Sequence, residues 1–129
     1  MTVENKKLIS FWLRKAKNAY RAGATLTRVR SYDSAVNRFY YAAFYAARAV
    51  LATKGLDASK HTGVISLFQI NFVKTGLIPK DLARALRTSF EVRLDGDYGD
   101  YVEITSGLAS QIKLDVKQFL TACDKYTRK

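Results

Sequence analysis

Pro79 is the only proline in 129 residues, and seven glycines are the only other strong breakers, so most of the chain carries nothing that would end a helix. Apolar residues recur through it at intervals of three and four, the spacing that lines one side of a helix. No pair of segments reads as paired strands. Helix 1 is expected over about residues 4–28, with Leu8, Trp12, Ala16, Ala19, Gly23 and Leu26 inward. Helix 2 follows an N-cap at Ser31 or Asp33, runs to about Lys54 and stops at Gly55. Its inner face is Val36, Phe39, Tyr40, Ala43, Ala47, Val50 and Leu51. Helix 3 spans about 59–74, closed by Gly76, with His61, Ile65, Phe68 and Phe72 inward.

Helix 4 opens at Pro79, a residue suited to a first helical position, and turns Leu82, Leu86, Phe90 and Leu94 inward. Gly96 and Gly99 are expected to break or bend it within residues 95–101. Helix 5 covers about 103–126 through Ile104, Leu108, Ile112, Val116, Phe119 and Cys123. The expectation is an all-α, up-and-down bundle of about five helices, a single domain over residues 1–129.

The lone cysteine, Cys123, excludes an internal disulfide and fits a reducing compartment. With no long apolar run and a polar start, the expected location is cytoplasmic, with no membrane association. Charge is uneven. Residues 1–54 hold eleven Lys/Arg against Glu4 and Asp33, whereas residues 55–102 hold six of each sign. Lys7, Arg14, Arg21 and Arg28 recur every seventh residue opposite the apolar face of helix 1, joined by Lys17. Such a stripe is either a solvated face or a surface for a phosphate-rich or acidic partner.

Residues 37–45 put Asn37, Arg38 and five aromatic rings on about two and a half helical turns. Stacking faces, hydroxyls and a cation so close together suit nucleotide or RNA contact, or a tight protein interface. On a helical wheel Phe39, Tyr40 and Phe44 turn to the core, while Asn37, Arg38, Tyr41, Tyr45 and Arg48 form a second face. Arg93 falls among the inward residues of helix 4, where a guanidinium needs acceptors or water. Asp97, one turn later, is placed to clasp it if the helix continues. His61 is the only histidine, so imidazole acid–base chemistry must use it. One His and one Cys make no metal ligand set, and the acidic cluster Asp95, Asp97, Asp100 and Glu103 matches no calcium loop. Neither a metal nor a cofactor is expected. Glycine-rich phosphate loops and a serine nucleophile elbow are absent.

Asn37-Arg38-Phe39-Tyr40-Tyr41, Ser59-Lys60-His61, Phe72-Val73-Lys74-Thr75-Gly76 and Arg93-x-x-x-Asp97-Tyr98, in that order, resemble a HEPN domain over roughly residues 6–119. The chain is most similar to the small stand-alone HEPN proteins often encoded beside a minimal nucleotidyltransferase. The resemblance implies a helical bundle that forms a homodimer through its central helices. It also implies a toxin-like ribonuclease with the nucleotidyltransferase as antitoxin. Family ribonucleases pair an arginine with a histidine four to six residues later, one such motif from each protomer, and need no metal. Arg93 matches that arginine, but Tyr98, Gly99 and Asp100 fill the histidine's slots, and no histidine follows.

The expected catalytic residues are therefore Arg93 on phosphate, Asp97 orienting it, His61 as the candidate base, and Tyr98 as a substitute or an acceptor of adenylylation, a role Tyr101 would also fit. Asn37, Arg38, Tyr41 and Arg93 are the expected nucleotide- or RNA-binding set. Two other readings stand beside this one. The missing histidine can mark a non-catalytic HEPN module that binds ligand or docks a partner protein. Alternatively, the helix 2 aromatics are dimer core and the basic stripe docks an acidic partner.

Overall fold

Helices form in the expected order: α1 Val3–Arg28, α2 Tyr32–Ala52, α3 His61–Phe68, α4 Lys80–Tyr98 and α5 Ser106–Thr127. The computed structural model describes residues 2–98 and 103–129, with 95–98 as backbone only. Among the described residues there is no strand, and no helix is long and apolar enough to cross a membrane. The architecture is the expected all-α, up-and-down bundle.

α2 is its centre. Thirteen of its 21 residues are buried, seven of them alanines, so α1, α3, α4 and α5 all approach its backbone closely. The seven residues assigned to its inner face are all buried. α1 and α2 approach closely at Gly23, where an added Cβ would lie 2.6 Å from the ring of Phe39. Ile9, Ala16, Ala19 and Gly23 are the buried residues of α1. Leu8, expected inward, is 42% exposed, because the first turns rotate to seat Ile9 against Ala49 and Ala52 instead.

The stops behave as glycine chemistry dictates. Gly55 and Gly76 adopt φ of +67° and +76° after α2 and before α4. Between α1 and α2 the same left-handed step falls on Arg30, φ +65°, where the Ser31 amide donates back to the Leu26 carbonyl. That turn shows no glycine signal in the sequence. Of three further boundaries, those of the α3 segment and of α5 differ from expectation. The α3 segment switches after Phe68 to a π-helical turn, Gln69–Val73, in which the Lys74 amide reaches back to the Gln69 carbonyl at 2.9 Å. α4 ends at Tyr98, inside the stretch 95–101 expected to break or bend it; its backbone stays helical through Gly96, and Gly99 lies outside the described residues. α5 starts at Ser106, later than the expected 103, because the Thr105 hydroxyl caps it by accepting from the Leu108 amide.

Gly23→Ala should destabilise the fold by about 1–2 kcal/mol, since overpacking against a fully buried ring outweighs alanine's helix propensity. Chemical denaturation checks this, and an unchanged or higher stability would show that Phe39 can retreat.

Candidate functional site

The second face of α2 is built from residues three and four apart. Arg38, Tyr41, Tyr45 and Arg48 follow one another along it; Trp12 of α1 packs on Tyr45 and Arg48, and the start of α3 and the end of α4 cover the Tyr41 side. The start of α3 is set by a chain of local contacts. After the turn at Gly55, one guanidinium nitrogen of Arg48 donates to both carboxylate oxygens of Asp57, at 2.7 and 2.9 Å. Asp57 also accepts from the Ala58 amide at 2.8 Å. This ties the loop to α2 and brings His61, the first residue of α3, over its aromatic face.

His61 is held on three sides. Its ring stacks on Phe44 with centroids 4.4 Å apart and planes 13° from parallel. Tyr41 meets it edge-on at 5.6 Å. Its Nδ1 hydrogen-bonds the Tyr40 hydroxyl at 2.7 Å, which leaves Nε2 as the ring nitrogen not engaged by Tyr40. From α4, the Arg93 guanidinium carbon lies 5.4 Å from the centroids of both Tyr40 and Tyr41, and Arg38 lies 5.2 Å from Tyr41. The structure thus brings His61, Arg93, Arg38 and Tyr41 together. Asn37, half-buried, sits one turn before Tyr41 on the same helix. The side chains of Asp97 and Tyr98, and all of Tyr101, lie outside the described residues.

The charges are lopsided. Burial, then the positive charges of Arg93 and Arg48, hold the His61 imidazole below its ordinary 6.5, so the ring is neutral at physiological pH. Burial pushes the Tyr40 phenol far above its ordinary range, against the opposing pull of Arg93, and keeps it protonated. The Nε atoms of Arg38 and Arg48 are buried with no hydrogen-bond partner among the described residues. A site with cationic groups, a neutral imidazole and stacking rings can bind a phosphate and accept or donate a proton beside it.

Three members of this cluster escape a sequence reading focused on polar positions. Tyr40 and Phe44 are core residues, as expected, yet their rings form the wall against which His61 rests. Asp57 gives no sign in the sequence of its pairing with Arg48. The available signal was the Tyr40, Phe44, Arg48 ladder at four-residue steps.

His61 also has a consequence for stability. The fold favours the neutral ring, so the unfolded chain takes up a proton more readily below about 6.5. The contribution is present above that pH and is lost as pH falls through the depressed folded value. Being the sole histidine, its Cε1 proton signal is unambiguous in NMR. It should titrate with a midpoint below 6.5, and Arg93→Ala should move that midpoint upward. A midpoint at or above 6.5 would contradict the burial described.

Residues 9–126 match the HEPN domain family. A UPF0332 protein of Thermotoga maritima is 39% identical over 95% of this chain and 92% of its own length. A Methanocaldococcus jannaschii protein named "Putative toxin MJ0142" is 30% identical over 98% of this chain and 86% of its own. A second protein of that organism, "Putative toxin MJ0605", is 39% identical over 64% of this chain and 62% of its own. With the family match spanning nearly the whole chain and all five helices of the bundle, this protein belongs to the HEPN domain family.

Proposed function

We propose that this chain is the toxin-like, ribonuclease-type half of a two-gene module and binds RNA at the His61–Arg93 cluster. Its partner in this reading is a nucleotidyltransferase-family antitoxin. Membership of the HEPN family and the names of the M. jannaschii relatives support the class of function. The observation that carries the chemistry is His61, bonded to Tyr40 at 2.7 Å and lowered in pKa by burial and then by the charges of Arg93 and Arg48.

In this reading α3 supplies the imidazole that the segment after Arg93 lacks. The Tyr40–His61 bond can run either way, depending on the tautomer. When Nδ1–H donates to the phenol oxygen, Nε2 is bare and takes the proton of a ribose 2′-hydroxyl. The 2′ oxygen then bonds to phosphorus, the P–O5′ bond breaks, and the departing 5′ oxygen is protonated from solvent. The products are a 2′,3′-cyclic phosphate and a 5′-hydroxyl end. When the phenol O–H donates to Nδ1, Nε2–H is a donor to a phosphate oxygen instead. Arg93 and Arg38 steady that phosphate, and the unpaired buried Nε of Arg38 gains an acceptor. Asp97 orients Arg93, and Asn37 and Tyr41 border the cleft. The second face of α2 forms the seam of a homodimer.

A second reading treats the cluster as a binding site without turnover. It is favoured by the absence of any histidine after Arg93, where the family's ribonucleases place theirs. The two separate cleanly. Purified dimer, verified by light scattering, should cleave single-stranded RNA in excess EDTA and leave cyclic phosphate ends. His61→Ala and Arg93→Ala should each lower the rate by about 10²-fold or more. Saturable RNA binding by a verified dimer without cleavage would establish the non-catalytic reading instead.

A further inference from the structure

A second cationic surface lies on the far flank of α1. Trp12 turns one flank of that helix toward α2, stacking on Tyr45 at 5.7 Å. The other flank, with α5, walls two adjoining clefts of about 610 and 340 Å³ that share Lys17 and Asp124 on their borders. Lys6, Arg14, Lys17 and Arg21 of α1 face Lys117 of α5, and Arg128 just after that helix, across them. The one acidic side chain lining the clefts, Asp124, is engaged by Arg128 at 3.1 Å. Among the described residues, Lys6, Arg14, Lys17, Arg21 and Lys117 have no acidic partner.

We infer that this α1/α5 groove is a docking track for the phosphodiester backbone of RNA. Five uncompensated cations on a concave wall repel one another and focus positive potential into the cleft, an arrangement that a polyanion relieves. From Lys6 to Arg21 the row extends about 22 Å along α1, long enough for several successive phosphates. Arg14, Lys17 and Arg21 stand three and four residues apart and so share one side of the helix. An acidic protein is the weaker fit. Stable protein interfaces centre on aromatic or apolar anchors and deplete charge at their core. The apolar lining is Ile9, Leu13, Tyr20 and Leu120, none of them among the large exposed apolar side chains, so no protruding anchor is offered. A second copy of the same face would set cation against cation. The groove needs no catalysis, so a chain that failed to cleave RNA would still bind through it.

The test uses a fluorescein-labelled, 2′-O-methyl single-stranded RNA of about 20 nucleotides, which keeps the phosphates and cannot be cleaved through the 2′ position. Anisotropy titrations between 50 and 200 mM KCl read affinity and its salt slope. The triple variant Lys17→Gln, Arg21→Gln, Lys117→Gln changes exposed side chains only. It should bind at least tenfold more weakly at the lowest salt, with a log–log salt slope shallower by about 2. Arg93→Ala should change that slope by no more than about 0.7. The control Lys80→Gln, Arg84→Gln, Arg87→Gln removes equal charge from α4 and should leave affinity within a few-fold of the parent. Equal loss in both triple variants would reduce the effect to net charge and overturn the groove. Unchanged RNA affinity in the first triple variant would overturn it too. If that variant instead lost only binding to poly-glutamate, the groove would belong to an acidic protein.

Discussion

A helix packed on nearly all sides has little room for polar side chains, and α2 is such a helix. Its alanines let α1, α3, α4 and α5 approach its backbone, and that contact organises the bundle. The same burial encloses Tyr40, whose ring is fully covered and whose hydroxyl therefore needs a partner inside the protein. His61 supplies it. The tautomers open to the imidazole and the place of its ring against α2 depend on that hydrogen bond being made at the edge of the core.

The surrounding contacts can be read as support for this arrangement. The Arg48–Asp57 pair holds the loop that precedes α3, and Phe44 provides the flat surface on which His61 stacks. Arg48 is itself packed on Trp12 at 4.0 Å, so α1 stiffens the same corner. An exposed ion pair is worth little by itself. Here it gains from a guanidinium already fixed between rings and only 21% exposed. The result is a neutral imidazole beside cations, a combination of interest for phosphate chemistry because proton transfer and charge stabilisation are supplied by different groups.

Much of the fold was legible in the sequence because burial on a helix is periodic. The inner faces of α2 and α5 read correctly almost residue by residue, and Gly55 and Gly76 marked real left-handed stops. The failures have local causes. Leu8 and Ile9 are adjacent, and only the rotation of α1 against Ala49 and Ala52 chooses between them. Gly96 lies inside α4, because a single glycine costs a helix only about 1 kcal/mol, yet the helix ends at Tyr98, within the stretch where the glycine pair was expected to interrupt it. The π-helical turn after Phe68 carries no compositional mark, since it depends on how the segment seats both Phe68 and Phe72 in the core.

The site was legible as a set of residues but not as a site. Spacing by itself determined that the chain is helical, that Arg38, Tyr41 and Arg48 share a face, and that Arg93 lies on the inward side of its helix. Those are properties of one helix at a time, fixed by 3.6 residues per turn. Whether His61 meets Arg93 depends on contacts between helices 21 or more residues apart in the chain, and on a hydroxyl that only burial obliges to find a partner. The α1/α5 groove is of the same kind. The sequence set out a basic stripe, and only the packing of α5 beside α1 turned part of that stripe into one wall of a cleft.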